Sequence, residues 1–266
     1  MSKSLIPAQR RERIQSYLAI HRIARLSDLS QFLDASEATI RRDLEWLEKD
    51  GLIQRTHGGA MLSQHLELET EYLHRAQIFA EEKQLIGKMA AALVEDGDTI
   101  FLNSGTTTTQ IIRHLPPEAD ITVITNNLAA VLEAGEVGYE LILVGGAFQP
   151  KLKSVTGRFA VNNLSQVYAD KAFIGVDGIN IKYGCTVPSI TEAGNDRTMI
   201  ERTHGKVFIV ADHSKWGVIA NFEIAQIDQI QAIITDSQLD LGAQAALRAR
   251  SVEILLADKP TKESRV

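Results

Sequence analysis

The amino-acid sequence predicts an α/β protein built from two unequal parts. Beyond residue 82, seven apolar runs rich in Ile, Val and Leu alternate with segments of helical periodicity. Such runs are typical of strands buried on both faces, as in a parallel sheet covered by helices. The first sixty residues show only three short helical repeats and a different charge balance. We therefore expect an N-terminal domain over 1–60, a linker over 61–81 and a larger α/β domain with a mostly parallel sheet over 82–266.

The composition is that of an ordinary globular protein. The chain has 266 residues, of which 44% are hydrophobic, enough for a substantial core. No apolar run approaches the ~20 residues of a membrane span, and no apolar block follows the N-terminus, so we expect a cytoplasmic protein without a membrane partner. Cys185 is the single cysteine and the seven histidines form no spaced ligand set, so no metal or cofactor is expected.

Formal charge is divided unevenly along the chain. The net charge is −6, but residues 1–60 hold ten Lys and Arg against eight Asp and Glu. Residues 61–266 hold eighteen basic against twenty-six acidic side chains. A weakly basic first part is compatible with nucleic-acid binding, but charge alone favours an ordinary solvated helix face.

Hydrophobic periodicity predicts three helices in the first sixty residues, the first of them near 8–20. The apolar positions are Ile14 and Leu18, then Leu26, Leu29, Phe32 and Leu33, then Ile40, Leu44 and Leu47. Ser27 and Ser36 precede the second and third runs, where a hydroxyl can cap a helix N-terminus. Segment 32–36 supplies a turn and Gly51 a C-cap, which together predict a helix-turn-helix.

The third helix and the segment after it have the residues of a DNA-binding surface. Arg41 and Arg42 face outward, and arginine on a recognition helix can bind guanine with two hydrogen bonds, while Thr39 is suited to a phosphate. The run LIQRTHGGA places Arg55 and His57 before two glycines, which predicts a hairpin wing against the sugar-phosphate backbone. We expect a winged helix-turn-helix, the alternative being a small helical bundle with a charged face.

The larger part is predicted to contain seven strands with helices between them. The strands are expected at 99–102, 121–125, 140–146, 171–178, 206–212, 231–236 and 252–257, and the helices at 82–95, 107–114, 126–134, 190–203 and 241–249. In such sheets ligands bind beyond the carboxyl ends of the strands, so the loops there are the place to expect a site.

The segment NSGTTTT connects the strand at 99–102 to the next helix. Amides at a helix N-terminus favour an anion, and Gly105 permits close approach of the backbone. Further hydroxyl donors are those of Ser104, Thr106, Thr107 and Thr108. Phosphate fits this pattern, and plain capping of the helix is an equal alternative. The lysine of a P-loop is absent, which disfavours a nucleoside triphosphate.

The string SEATIRRDLEWLEKDGLIQRTHGGA resembles the N-terminal signature of the DeoR-type family of bacterial transcriptional repressors. The resemblance implies that the N-terminal domain binds double-stranded operator DNA. The DNA-contacting residues that it implies are Ser36, Glu37, Ala38, Thr39, Arg41, Arg42, Arg55, His57 and Gly58. Because one short recognition helix covers too little DNA for selective binding, we expect a homo-oligomer, a dimer or a tetramer.

The rest of the chain resembles the effector domain of the same family. The matching segments are an EK pair before a helix, then SGTTT, TNN, LVGG, FIGVDGI, TEA and DHSK, over nearly all of 82–236. That domain is related to ribose-5-phosphate isomerase and CoA-transferase folds, and it senses phosphorylated sugars or their breakdown products. The resemblance implies phosphate binding by Lys83, Ser104, Gly105, Thr106, Thr107 and Thr108, and sugar binding by Asn126, Gly145, Gly146, Asp177, Glu192 and Lys215.

Two departures from the related patterns bear on activity. Asn103 stands where many relatives carry aspartate, which removes a possible charge beside the anion site. The isomerases use an aspartate-glycine-x-aspartate segment and a catalytic lysine, whereas this chain has Asn180, with Val187 and Pro188 near the expected lysine. Without a base paired to a cation, proton transfer between sugar carbons has no evident route. We expect a repressor of sugar-metabolism genes, without catalytic residues and controlled by a phosphorylated sugar; the alternative is an isomerase-like or hydrolytic enzyme with a DNA-binding appendage.

Overall fold

The computed structural model describes residues 6–21, 23–50, 52–56, 58–62 and 72–258. The chain divides into two compact units, Met1–His74 and Arg75–Val266. The expected C-cap Gly51, the wing residue His57 and residues 63–71 of the expected linker lie outside the described residues. Within the described segments, no helix combines the length and the apolar character needed to cross a bilayer.

The first unit contains three helices and a three-stranded antiparallel sheet in the order β1-β3-β2. Its elements are α1 Pro7–His21, β1 Ile23–Arg25, α2 Leu26–Leu33, α3 Glu37–Lys49, β2 Ile53–Thr56 and β3 Gly59–Leu62. The core is formed by apolar positions of the predicted periodicity, including Ile14, Leu29 and Ile40, all buried. Phe32 is different, because it is 51% exposed and lies 4.8 Å from the ring of Tyr17.

The helix boundaries of this unit agree with one predicted cap and contradict the other. Ser36 caps α3, since its hydroxyl accepts a hydrogen bond from the Thr39 amide at 3.3 Å. Ser27 is not the cap of α2, because β1 runs directly into the helix and Arg25 occupies the N-cap position. There the Asp28 carboxylate accepts from the Arg25 amide at 3.3 Å.

The second unit is an α/β domain whose main sheet has seven parallel strands in the order β15-β14-β12-β9-β4-β5-β6. Its elements are α4 Ala80–Ala91, β4 Thr99–Leu102, α5 Thr106–Ile112, β5 Thr122–Thr125, α6 Leu128–Ala134, β6 Glu140–Leu143, β7 Ala147–Gln149, β8 Ser154–Thr156, α7 Arg158–Leu164, β9 Ala169–Gly175, β10 Gly178–Asn180, β11 Gly184–Val187, α8 Ile190–Glu201, β12 Thr203–Val210, β13 Phe222–Ala225, β14 Ala232–Asp236, α9 Leu241–Arg248 and β15 Glu253–Ala257. The predicted fold class, a helix-turn-helix unit followed by an α/β domain with a mostly parallel sheet, is confirmed.

Both faces of the main sheet are covered, as the continuous apolar runs predict. Along β4, Ile100 and Leu102 point to one apolar layer and Phe101 to the other, since side chains alternate along a strand. The structure also contains elements that the sequence did not predict. They are the antiparallel sheet β10-β11-β13, the hairpin β7-β8 and the short helix α7. The strand predicted at 140–146 is shorter in the structure, where β6 ends at Leu143.

Candidate functional site

The carboxyl ends of three adjacent strands meet at one cavity in the second unit. Strands β12, β9 and β4 are neighbours in the sheet, so the loops that follow them converge. The cavity is lined by Arg75, Ile78, Lys83, Asn103, Ser104, Gly105, Thr106, Thr107, Gly175, Val176, Asp177, Val187, Glu192, Asp196, Asp212, Ser214 and Lys215. The site therefore lies where the sheet topology predicts a ligand site.

Asn103 joins the loops after β4 and β9 and the helix α8. Its side-chain oxygen accepts from the Gly175 amide at 2.7 Å, and its side-chain nitrogen donates to the Gly175 carbonyl at 2.9 Å. The same nitrogen donates to Asp196 Oδ1 at 3.0 Å. Because all three partners are fixed in the fold, Asn103 holds one wall of the cavity in place.

Four residues of the loop from Ser104 to Thr108 line the cavity, namely Ser104, Gly105, Thr106 and Thr107. In the described part of the chain, no protein group accepts a hydrogen bond from the backbone amides of this loop. The hydroxyls of Thr108 and Thr109 turn inward and donate to the Gly105 carbonyl at 3.1 and 2.8 Å, and the Asn127 side chain donates there at 3.2 Å. Threonine side chains thus hold the loop from within, and its backbone amides are left without a described acceptor.

Three basic residues stand around this loop. Lys83 is 5% exposed, and its ammonium group donates to the carbonyls of Arg75 and Ile78 at 2.6 and 2.7 Å. Burial lowers the pKa of Lys83, and the neighbouring Lys215 and Arg75 act in the same direction, while Asp212 opposes them. Arg75 has a buried Nε atom without a hydrogen-bond partner in the described part of the chain. The Arg75 Nε atom is therefore available to donate a hydrogen bond to a ligand in the cavity.

Four acidic residues also line the cavity, namely Asp177, Glu192, Asp196 and Asp212. Burial, and secondarily the charge of Asp177, raises the pKa of Glu192 to about 7, while Arg75 lowers it. Burial also raises the pKa of Asp196 well above its ordinary value, although the hydrogen bond from Asn103 favours its charged form. Among described groups, Glu192 Oε2 and Asp212 Oδ2 are buried without a partner. These carboxyl oxygens can accept hydrogen bonds from the hydroxyl groups of a ligand.

Eight of the twelve residues predicted for effector binding line this cavity. They are Lys83, Ser104, Gly105, Thr106, Thr107, Asp177, Glu192 and Lys215. The other four, Thr108, Asn126, Gly145 and Gly146, are not among its lining residues. Asn126 belongs to a separate buried polar group, in which Asn126 and Asn195 both donate to the Val155 carbonyl, at 3.1 and 2.8 Å.

The two glycines of the LVGG segment make structural contacts within the second unit. The Gly145 amide donates to the Asn163 side chain at 3.1 Å. Gly146 has φ +157°, and a Cβ atom there would lie 2.7 Å from the Thr156 carbonyl oxygen. A glycine at 146 is required by this close packing against β8.

Sequence reasoning missed several lining residues, above all Arg75, Asp196 and Asp212. Arg75 lies in the segment predicted to be a linker, where a lone arginine among acidic residues gave a weak signal. Asp212 lies two residues beyond the end of β12, so the strand-end rule that located Ser104 could have found it. Asp196 lies one helical turn after Glu192 on α8, and i, i+4 spacing was the available signal.

The exposed face of α3 presents the predicted recognition residues. Glu37, Ala38, Arg41 and Arg42 are exposed. Arg41 and Arg42 form no hydrogen bond or ion pair with the described residues. The Ser36 and Thr39 hydroxyls lie 2.9 Å apart at the start of the helix. The arginines are free for an external partner, whereas the two hydroxyls serve the cap.

A buried carboxylate holds α1 against α3. Asp43 is 2% exposed and accepts from Arg10 Nε at 2.5 Å and from Arg11 Nε at 3.2 Å. The Arg11 guanidinium also lies 4.1 Å from the Trp46 ring centroid. Two arginines of the basic N-terminal cluster thus hold α3 in place, and their charge is partly neutralised within the unit.

The predicted wing forms from β2 and β3. Arg55 lies on β2 and its Nη1 is 3.4 Å from Glu45 Oε1 on α3. Gly58 is exposed at the turn, and its carbonyl accepts from the Leu26 amide at 2.9 Å. Helix and wing are therefore connected to each other and to the start of α2.

Comparisons with known proteins agree with this two-unit plan. Residues 10–65 match the DeoR-like helix-turn-helix domain, and residues 78–237 match the DeoR C terminal sensor domain. The HTH-type transcriptional repressor GlcR of Bacillus subtilis is 35% identical over 92% of this chain and 95% of its own length. The HTH-type transcriptional regulator GlpR of Haloferax volcanii is 31% identical over 94% of this chain and 98% of its own length.

Among solved structures, ribose 5-phosphate isomerase A from Methanocaldococcus jannaschii is similar over 52% of this chain and 54% of its own, with 19% identity and a TM-score of 0.38. That likeness is too low to bear on function. The relatives align along nearly their whole length and are named as regulators of transcription, and both units match the models of one family. The chain belongs to the DeoR family of helix-turn-helix transcriptional regulators.

Proposed function

We propose that this regulator represses sugar-metabolism genes and that a phosphorylated sugar in the cavity of the second unit controls its binding to DNA. The observation that carries the proposal is one cavity lined by the loop residues Ser104–Thr107, by three basic residues and by four acidic residues. A ligand matched to this cavity has an anionic group for the amides and basic residues, and hydroxyl groups for the acidic residues. We assign DNA binding to 1–60, connection to 61–81 and sensing to 82–266.

The roles of the lining residues follow from their chemistry. Backbone amides and a nearby ammonium group, here that of Lys215, form charge-assisted hydrogen bonds to phosphate oxygens. Glu192 and Asp177 accept from sugar hydroxyls. Lys83 already donates to two backbone carbonyls, so its part is to add positive charge and hold the wall. Thr108, Asn126, Gly145 and Gly146 support the site through the packing described above.

For DNA, we propose that Arg41 and Arg42 contact base edges in the major groove. Glu37 and Ala38 share the exposed face, and the Ser36–Thr39 cap presents the helix N-terminus to a phosphate. The wing residues Arg55, His57 and Gly58 contact the sugar-phosphate backbone.

We also propose that the chain acts in the cytoplasm as a homo-oligomer, a dimer or a tetramer, on an operator with two-fold symmetry. Effector binding then favours an arrangement of protomers in which the recognition helices no longer match the operator. The extent of release is limited by the difference in ligand affinity between the two arrangements.

A thermal-shift screen of the full chain tests the sensing proposal. Glucose 6-phosphate, fructose 6-phosphate, ribose 5-phosphate, glycerol 3-phosphate and inorganic phosphate serve as probes, with the unphosphorylated sugars as controls. A ligand at about 100 times its Kd stabilises the native state by roughly 2.7 kcal/mol. We expect stabilisation by a phosphorylated compound and no conversion of it on prolonged incubation. Stabilisation by none of them, or turnover of one, would contradict the proposal.

A further inference from the structure

The chain that enters the second unit forms part of the cavity wall. Arg75 and Ile78 both line the cavity. Their carbonyl groups accept hydrogen bonds from one buried ammonium group, that of Lys83 on α4. An ammonium group that bonds two carbonyls three residues apart fixes the backbone between them. We call residues 75–79 the entry segment.

The entry segment is attached at a second point. Phe79 has φ 51°, a left-handed conformation that is costly for a side chain of this size and that surrounding contacts must stabilise. Its ring packs edge-on against His213 at a centroid distance of 4.7 Å. The His213 ring is held by Asp236, with 2.9 Å between Nδ1 and Oδ1. Lys83 and His213 thus clamp the entry segment at the edge of the cavity.

Arg75 is the one charged side chain of this segment. Its Nε atom is buried, belongs to a residue that lines the cavity and has no partner among the described groups. A buried guanidinium nitrogen without an acceptor is costly, and a planar guanidinium is well suited to a phosphate or carboxylate with two oxygens in one plane. An anion in the cavity would supply the missing acceptor.

Arg75 also stands at the boundary between the two units. It is the first residue of the second unit, and residues 72–77 form one helical segment that runs through the boundary. Whatever restrains Arg75 therefore restrains the piece of chain that leads back to the DNA-binding unit.

We propose that Arg75 binds the anionic group of the effector and that this contact couples occupancy of the cavity to the helical segment 72–77. The inference rests on the proposed sensing function. It adds a ligand-binding residue, Arg75, and a covalent connection from that residue to the helical segment 72–77. Ligand binding adds a further restraint to the clamped entry segment, and the size of the coupling equals the difference in ligand affinity between its clamped and released states.

Two measurements on the full chain test this inference. Calorimetric titration with inorganic phosphate and with glucose 6-phosphate gives Kd, and hydrogen–deuterium exchange gives the protection of amides 72–83. We expect Arg75→Gln to weaken binding about tenfold or more, as for loss of a charge-assisted hydrogen bond, and to abolish ligand-induced protection. Arg75→Lys keeps the charge and should recover part of the affinity. Arg250→Gln, on an exposed arginine of the same unit, is the matched control and should change neither readout.

The outcomes separate the inference from the proposed function. If neither probe binds the unmodified chain, the sensing function and this inference both fail. If the unmodified chain binds and Arg75→Gln binds equally well, only the role of Arg75 fails. If Arg75→Gln weakens binding but saturating ligand still protects the segment, the coupling is overturned. Lys83→Met serves as a second variant, and faster exchange of amides 75–79 without ligand is expected from it; unchanged exchange would contradict the clamp.

Discussion

At the scale of single residues, the cavity combines opposite kinds of hydrogen-bonding capacity. Arg75 Nε can donate, while Glu192 Oε2 and Asp212 Oδ2 can accept, and all three atoms are buried without a described partner. Buried polar atoms of this kind are rare in folded proteins because each costs free energy, so they tend to mark sites where a ligand or ordered water completes the hydrogen bonds. A ligand with both an anionic group and hydroxyl groups satisfies both sets at once.

Replacing Glu192 by Gln should change the pH dependence of stability. The pKa of Glu192 is about 7 in the folded chain, against an ordinary value of 4.5. Between these values the folded state holds a proton that the unfolded state has lost, so this group's contribution to stability falls as pH rises from about 4.5 to 7. Relative to the unmodified chain, the free energy of unfolding of Glu192→Gln should therefore increase across this window, by up to about 3 kcal/mol.

Urea unfolding at several pH values measures this difference. Glu201→Gln is the matched control, because Glu201 ends the same helix in an exposed position, and it should show no such change. A difference between Glu192→Gln and the unmodified chain that stays constant from pH 4 to pH 8 would contradict the assignment of the raised pKa to this group.

On the recognition helix, we expect Arg41→Ala and Arg42→Ala to weaken operator binding by about 1–3 kcal/mol for each arginine that contacts a base edge. The physical reason is the loss of a two-pronged hydrogen bond to guanine, which also relaxes selectivity at that base pair. Fluorescence anisotropy with the operator and single-base variants measures both effects. Lys49→Ala, at the exposed C-terminal end of α3, is the control. Unchanged affinity and selectivity in both arginine variants would refute the assignment.

At the scale of elements, periodicity and apolar runs sufficed for the long pieces of the fold. The strand predicted at 99–102 was correct to the residue, and the helix predicted at 241–249 differed from the structure by one residue. The strands of the small sheet β10-β11-β13 were missed because three or four residues hold too few alternations to give a pattern. Arg75 was missed for another reason: its place in the cavity wall depends on tertiary contacts of Lys83, which no local pattern encodes.

Two adjacent glycines of the wing should differ sharply when each is replaced by alanine. A Cβ atom at Gly59 would lie 1.9 Å from the Ala24 carbonyl oxygen, whereas at Gly58 nothing lies within 4 Å. We expect Gly59→Ala to break the pairing of β1 with β3 and to destabilise the first unit by more than about 2 kcal/mol. Gly58→Ala should alter stability by no more than about 0.5 kcal/mol.

Hydrogen–deuterium exchange of β1 and β3 in the full chain reports this effect directly. Similar exchange in both variants would show that the tight approach at Gly59 does not matter for the wing. Because Gly58→Ala preserves the fold, any loss of operator affinity in that variant reports contact of the turn with the DNA backbone.

At the scale of the whole molecule, formal charge is distributed unevenly along the chain. The basic excess lies in residues 1–60, and the acidic excess lies in residues 61–266. Acidic residues are repelled by DNA, so the electrostatic attraction comes from the basic residues of 1–60, and affinity should depend on how many copies of this segment are presented together.

Operator geometry should reveal this pairing of units. Duplexes selected from a random library with the full chain should contain an inverted repeat, since two recognition helices related by a two-fold axis read half-sites about 10–10.5 base pairs apart, or a multiple of that. Inserting about 5 base pairs turns one half-site to the opposite face of the duplex and should abolish tight binding; inserting about 10 should restore part of it. Sedimentation should give a mass of at least twice the 29.3 kDa of one chain. The prediction would be wrong if a species with the mass of one chain bound a single half-site as tightly as the full repeat. Each chain would then bind DNA as a monomer.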